Sequence, residues 1–173
     1  MSGWLGDIPL IDQLERNSAA LQALFRGVGD EQARWRPAPE KWSILEVVNH
    51  LYDEERDDFR RRIDLTLHEP ETPWPGINPQ GWVSERRYNE RDLGESLRGL
   101  AAEREQSVAW LRALKSPDWT LARTHPVAGR LSAGDLLASW VAHDFLHMRQ
   151  VAGLHLAHAA LLSKPYSQRY AGA

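Results

Sequence analysis

His143 and His147, in the stretch Val141-Ala-His143-Asp-Phe-Leu-His147-Met-Arg-Gln150, are four residues apart. On an α-helix that spacing sets two imidazoles one turn apart on one face, with Cβ atoms ~5–6 Å from each other, so that both can grip one metal ion. Two histidines are an incomplete centre. Catalytic zinc and similar ions usually take three protein ligands and leave a further position for water or substrate. The third ligand must come from elsewhere in the chain, and His50 is the best candidate. Three neutral imidazoles leave a divalent ion its full charge, which brings the pKa of a bound water from about 15.7 towards ~7 and polarises a bound oxygen or sulfur. That is the chemistry of a hydrolase or of a thiol-activating enzyme.

The second nitrogen of each ring needs its own partner, which fixes the tautomer. Glu54, Asp57 and Asp144 are placed to supply one. A histidine on an apolar face is more often a hydrogen-bonded core residue than a ligand, so a metal-free bundle, with its histidines paired to Glu54 and Asp144, is the competing reading. His68 and His125 fall at a helix end and in a link, where surface positions are expected. His155 and His158 lie too far along the last helix to join the same ion. The His143-Asp-Phe-Leu-His147 spacing matches a zincin motif, but aspartate is one methylene shorter than the glutamate base and no zincin sheet accompanies it. Di-iron bundles need paired Glu-x-x-His helices, of which only Asp144-x-x-His147 approximates one half.

Four helical patterns must position these groups. Asp7 and Pro9 open the first, and Leu10, Ile11, Leu14, Leu21, Phe25 and Val28 repeat at helical spacing until Gly27 and Gly29 end it. Residues 30–35 form a short turn of helix before Pro37 and Pro39. Ser43 and Glu46 make a capping box for a second long helix, running to about Thr66. Its apolar stripe of Ile44, Val48, Leu51, Phe59 and Ile63 is flanked by a face carrying His50 and Glu54. Between residues 67 and 91 the periodicity is lost, and prolines and glycines argue against regular structure; Trp74 and Trp82 there anchor the loop or line a pocket, as Trp140 could. A third helix follows the Asp92/Glu95 cap, with Leu93, Leu97, Leu100, Arg104, Val108 and Leu111 along one face. Residues 119–130 read as an irregular link. Ser132 and Asp135 cap the fourth helix, which runs to about Leu161 with both key histidines on its inner face. The pattern predicts an all-α four-helix bundle, a single domain over residues 1–173, with a long crossover loop between helices 2 and 3.

Composition narrows the function. At 173 residues, 42% hydrophobic and 26% charged, the chain reads as an ordinary globular protein with no apolar run near the ~20 residues that span a membrane. Its N-terminus lacks the pattern of a secretory signal, so a cytoplasmic location is expected. With no cysteine, any metal must sit in nitrogen and oxygen. A net charge of −3, with Arg60-Arg61-Arg62 following a run of acids, argues against nucleic acid as a partner.

Two segments together resemble the DinB superfamily of metal-binding four-helix bundles. They are Pro39-Glu-Lys-Trp42-Ser43-Ile-Leu-Glu46-Val-Val-Asn-His50-Leu, and Gly129-Arg-Leu-Ser132-Ala-Gly-Asp135-Leu-Leu followed by Trp140-Val-Ala-His143-Asp-Phe-Leu-His147-Met-Arg-Gln150-Val. With the helix order, the resemblance spans nearly the whole chain. It implies that His50 is the ligand on the second helix and that His143 and His147 are the paired ligands on the fourth. It implies a divalent ion, zinc or nickel first, with manganese or iron also compatible. The family includes metal-dependent thiol transferases and isomerases, often homodimeric. The function expected is activation of water or a low-molecular-weight thiol for attack on a small electrophile, with Glu54 or Asp144 as the catalytic carboxylate. The alternative is a non-catalytic metal-binding or stress-related interaction bundle.

Overall fold

The computed structural model describes residues Pro9 to Gly172, so the cap expected at Asp7 lies outside the described residues. Helix α1 (Pro9–Phe25) packs on α6 (Leu93–Ala113) and α7 (Ala133–Leu162). A short α2 (Asp30–Arg34) follows. The second bundle helix is continuous from 44 to 68 but of three kinds: α3 (Ile44–Asp53), a π-helical turn (Glu54–Phe59) and α4 (Arg60–His68). The two capping boxes anchor the helices that carry the histidines. Ser43 accepts from the Glu46 amide while Glu46 reaches back to the Ser43 amide, and Ser132 with Asp135 does the same for α7.

Two connectors are more regular than expected. In the crossover, Asn78 accepts from the Gly81 amide and Pro79 occupies the first turn of α5 (Pro79–Glu85), where a proline costs no hydrogen bond. A single turn of 3-10 helix follows at Tyr88–Glu90. The link before α7 is an antiparallel hairpin of β1 (Ala122–His125) and β2 (Gly129–Ser132), with Ala122 opposite Ser132 and His125 opposite Gly129. Gly129 at φ 74° makes the turn possible. The hairpin leaves the architecture that of a four-helix bundle.

The core has two apolar halves separated by a polar layer. One half gathers Leu14, Phe59, Ile63, Val108, Leu137 and Trp140; the other gathers Leu21, Phe25, Val47, Val48, Leu100 and Val151. Between them each bundle helix contributes polar side chains: Asn17 from α1, His50, Glu54, Glu55 and Asp58 from the second helix, Arg104 from α6, and His143, Asp144 and His147 from α7. Burying polar groups is costly unless they are partnered. The layer must therefore be accounted for atom by atom.

Candidate metal centre

The three histidines converge. His50 Nε2 is 3.2 Å from His143 Nε2, which is 3.1 Å from His147 Nε2. They form a group able to hold a metal ion among the described residues. Two ligands bonded at ~2.0–2.1 Å in tetrahedral geometry lie roughly 3.3 Å apart, so the spacing fits one ion. His147 donates through Nδ1 to Gln150 Oε1 (2.8 Å), which leaves Nε2 as the free lone pair. His50 Nδ1 is buried with no partner among the described residues. The ring set is packed by aromatics: Trp42 lies 4.9 Å from His50 and parallel to His147, and Phe59 lies 5.2 Å from His143.

Burial keeps the cluster neutral. It lowers His50 to about 3, with the His147 charge adding to the effect. It lowers His143 to about 2, reinforced by His147, His50 and Arg104. His147 also falls, chiefly through burial, although Gln150 and Asp144 oppose the shift. Three uncharged imidazoles at neutral pH are what a cation requires of its ligands.

A cavity of about 460 Å³ opens on the histidines. Beyond them it is lined by Trp42, Glu54, Gln80 and Gln150, with Glu40 and Lys41 at exposed positions. Glu54 is 4% exposed and its Oε1 has no partner among the described residues. Burial first, and then the neighbouring Asp58 carboxylate, pushes Glu54 up to about 8; burial raises Asp58 too, although its ion pair with Arg62 opposes this. The pair therefore holds a proton at neutral pH.

Asp144 sits elsewhere. It is fully buried, is not among the residues lining the cavity, and its two oxygens accept from Arg104 at 2.8 Å each, with Asn17 donating at 3.0 Å. Arg104 also donates to both oxygens of Glu55 at 2.8 Å and to the Leu14 carbonyl at 3.0 Å, and the Trp140 indole donates to Glu55 at 3.2 Å. Burial works against the Arg104 charge, but Glu55 and Asp144 outweigh it and its pKa is raised.

Of the two roles open to Trp74 and Trp82 the structure shows anchoring, and Trp140 does not reach the cavity. Trp140 is in the core, stacked on Phe59; Trp82 is buried under Arg86; and Trp74 packs against the core with Arg62 over its ring. Trp42 is the tryptophan at the cavity, and its position directly before the Ser43 cap could have shown this. The other histidines fall outside the site. His68 bonds Asp64, His125 lies against Trp74, His155 bonds the Leu24 carbonyl, and His158 stands edge-on to Trp35.

Fold and site define a four-helix bundle with a three-histidine centre at mid-height. The DinB superfamily model matches residues 13–151, and the chain belongs to that superfamily. It is 26% identical over 147 residues to the uncharacterised protein YuaE of Bacillus subtilis (strain 168), covering 73% of this chain and 85% of YuaE. Its fold is similar to that of YfiT from Bacillus subtilis, described as a probable metal-dependent hydrolase with an unusual four-helix bundle topology. The TM-score is 0.77 at 22% identity, with 87% of this chain and 86% of YfiT covered. Among the described residues no helix is long and apolar enough to cross a membrane.

Proposed function

We propose that the chain is a divalent-metal-dependent enzyme that activates water or a low-molecular-weight thiol for attack on a small electrophile. The observation that carries the reading is that three neutral Nε2 atoms converge within one ion's reach at the floor of a cavity. At about 460 Å³ the cavity lies in the range of small-molecule sites. A purely structural centre would be closed on all sides by protein groups. YfiT's description as a probable metal-dependent hydrolase agrees with this reading.

His50, His143 and His147 hold the ion, with zinc or nickel first by donor set and manganese or iron also compatible. When bound, such an ion supplies Lewis acidity, lowering the pKa of a water or thiol that reaches it. Gln150 fixes His147 in the tautomer that presents Nε2. Trp42 and Phe59 cover ring faces and keep bulk water from the imidazoles. Glu54, whose pKa burial and Asp58 raise in the metal-free protein, is the group on the cavity wall able to donate a proton to a leaving atom or, once ionised, to accept one. Asp144 acts at one remove, by holding α7 through Arg104.

Metal analysis of the purified protein tests the reading. One ion per chain is expected, and it should be lost from His50→Ala and His147→Ala alike. Retention in either variant would contradict the shared site. Turnover of a panel of electrophiles, with and without thiol, should vanish on chelation and return with the ion. A protein that binds one ion yet shows neither activity leaves the centre intact and sinks the enzymatic reading.

A further inference from the structure

The Gln150 side chain is only half accounted for by the ion site. To present Nε2 to a cation, His147 must carry its hydrogen on Nδ1, and that N–H donates to Gln150 Oε1 at 2.8 Å. The bond settles which way the amide points, because its oxygen is committed to the ring and its nitrogen is turned elsewhere. The two N–H donors of Gln150 Nε2 have no acceptor among the described residues, although Gln150 is half-buried and lines the cavity. A donor so placed takes its acceptor from whatever enters the cavity. Nδ1 and Nε2 of His147 belong to one small ring, so these donors lie close beside the ion's position and not at the mouth. At the mouth Lys41 and Glu40 are neighbours of opposite charge, both exposed, and they offset one another. Selection by charge therefore falls to the interior.

We infer that Gln150 Nε2 is a specificity-determining donor for an anionic oxygen, and that the molecule docking on the ion carries a carboxylate a short chain away from the atom that reaches the metal. The inference rests on the proposed ion and adds to it the chemical class of the substrate. Three neutral imidazoles leave a divalent ion its charge uncompensated, and a charge of one sign inside a cleft favours ligands of the other. An N–H bond to an ionised acceptor is about twice as strong as one to a neutral acceptor. A neutral carbonyl would accept from the same amide without that gain. An ammonium group would face two donors and a cation. If Gln150 only braced His147, its oxygen would be used and its nitrogen would have no part; a carboxylate ligand uses both ends of the amide.

Thiols that differ only at the far end test this on the full chain loaded with cobalt, whose near-ultraviolet absorption on thiolate docking gives a dissociation constant without turnover. The wild type should bind mercaptopropionate at least about tenfold more tightly than its methyl ester. Gln150→Glu keeps an acceptor for His147 Nδ1, and so keeps the ion, but replaces the donors by a carboxylate. In that variant the preference should invert, and cysteamine should bind more tightly than it does to wild type. Lys41→Ala should leave the wild-type order unchanged. Equal binding of mercaptopropionate and its ester by the wild type would overturn the assignment. So would a carboxylate preference that survives Gln150→Glu or disappears in Lys41→Ala. Loss of the ion from Gln150→Glu would overturn it too, since a carboxylate accepts the same bond. A chain that binds the ion and shows the preference, yet turns nothing over, would sink the enzymatic reading and leave this one intact; a chain that binds no ion overturns both.

Discussion

Two halves of the same polar layer are built on opposite rules. Around Arg104, Glu55, Asp144, Asn17 and Trp140 supply the hydrogen bonds that burial demands. Around His50 the reverse holds: the Nε2 atoms of three imidazoles face one another, and His50 Nδ1 and Glu54 Oε1 have no partner among the described residues. Unpartnered buried atoms cost stability, about 1–3 kcal/mol each by general experience. The difference separates scaffold from site. The satisfied half ties α1, α6, α7 and the π turn together, and the unsatisfied half keeps its capacity for a ligand.

The sharpest way to break the comparison is to unsatisfy the scaffold. Arg104→Met leaves Glu55 and Asp144 buried without their cation, which should cost about 3–5 kcal/mol and lower the melting temperature by roughly 10 °C. A change below about 1 kcal/mol would show that solvent or another cation replaces Arg104. Satisfying the site should have the opposite sign. Saturating metal at about a hundred times its dissociation constant stabilises by about 2.7 kcal/mol, visible as a rise in melting temperature that chelator reverses; His143→Ala should abolish the rise. Metal that fails to stabilise the wild type would mean the three nitrogens are not the ligands. A smaller loss is expected from Gln150→Ala. Without the acceptor that fixes the His147 tautomer, metal affinity should fall about 10–100-fold, while the metal-free stability stays within about 0.5 kcal/mol of wild type. Equal losses with and without metal would make Gln150 merely structural.

The mildest prediction concerns pH. His50 and His143 are depressed to about 3 and about 2 in the fold, against an ordinary value near 6.5. The unfolded chain therefore binds more protons than the native one as pH falls below 6.5. Their stabilising contribution is complete above that value and is lost progressively down to the folded values. Over the first unit below 6.5 each histidine should remove about 1 kcal/mol from the metal-free protein, and His50→Gln should flatten the slope. Glu54 runs the other way: raised from 4.5 to about 8, it contributes fully below 4.5 and loses that contribution progressively as pH rises to about 8, so it opposes the histidines across the same range. A pH slope that His50→Gln and Glu54→Gln both leave unchanged would remove the electrostatic account of the site.

The bundle was legible because each long helix carries local signals that agree with its tertiary role. Ser43 with Glu46 and Ser132 with Asp135 mark starts, and the apolar spacing of the intervening runs is helical. The three clustered histidines were legible from the His143/His147 spacing and from His50 beside the apolar stripe. The carboxylates were not separable in the same way, since nothing local distinguishes Glu54, which faces the cavity, from Asp144, which faces Arg104. One sign of the ionic cluster was present: Arg104 interrupts a run of leucines at a core position. A long-range partner for it could not be read from the chain, because Glu55 and Asp144 are 49 and 40 residues away. The Pro79 helix and the hairpin escaped because their supporting groups, Asn78 and Gly129, also suit irregular turns.

The wide turn at Glu54–Phe59 has a consequence for how this molecule could change. Ordinary helix rotates successive side chains by about 100°, yet Glu54 and Glu55 are both buried, one serving the cavity and the other the arginine. The extra residue that a π turn accommodates is what lets neighbours along the chain serve separate masters. Excising a single residue from 54–59 would therefore uncouple chemistry from architecture in one stroke, a rearrangement that point substitution can approach only by altering each carboxylate in turn.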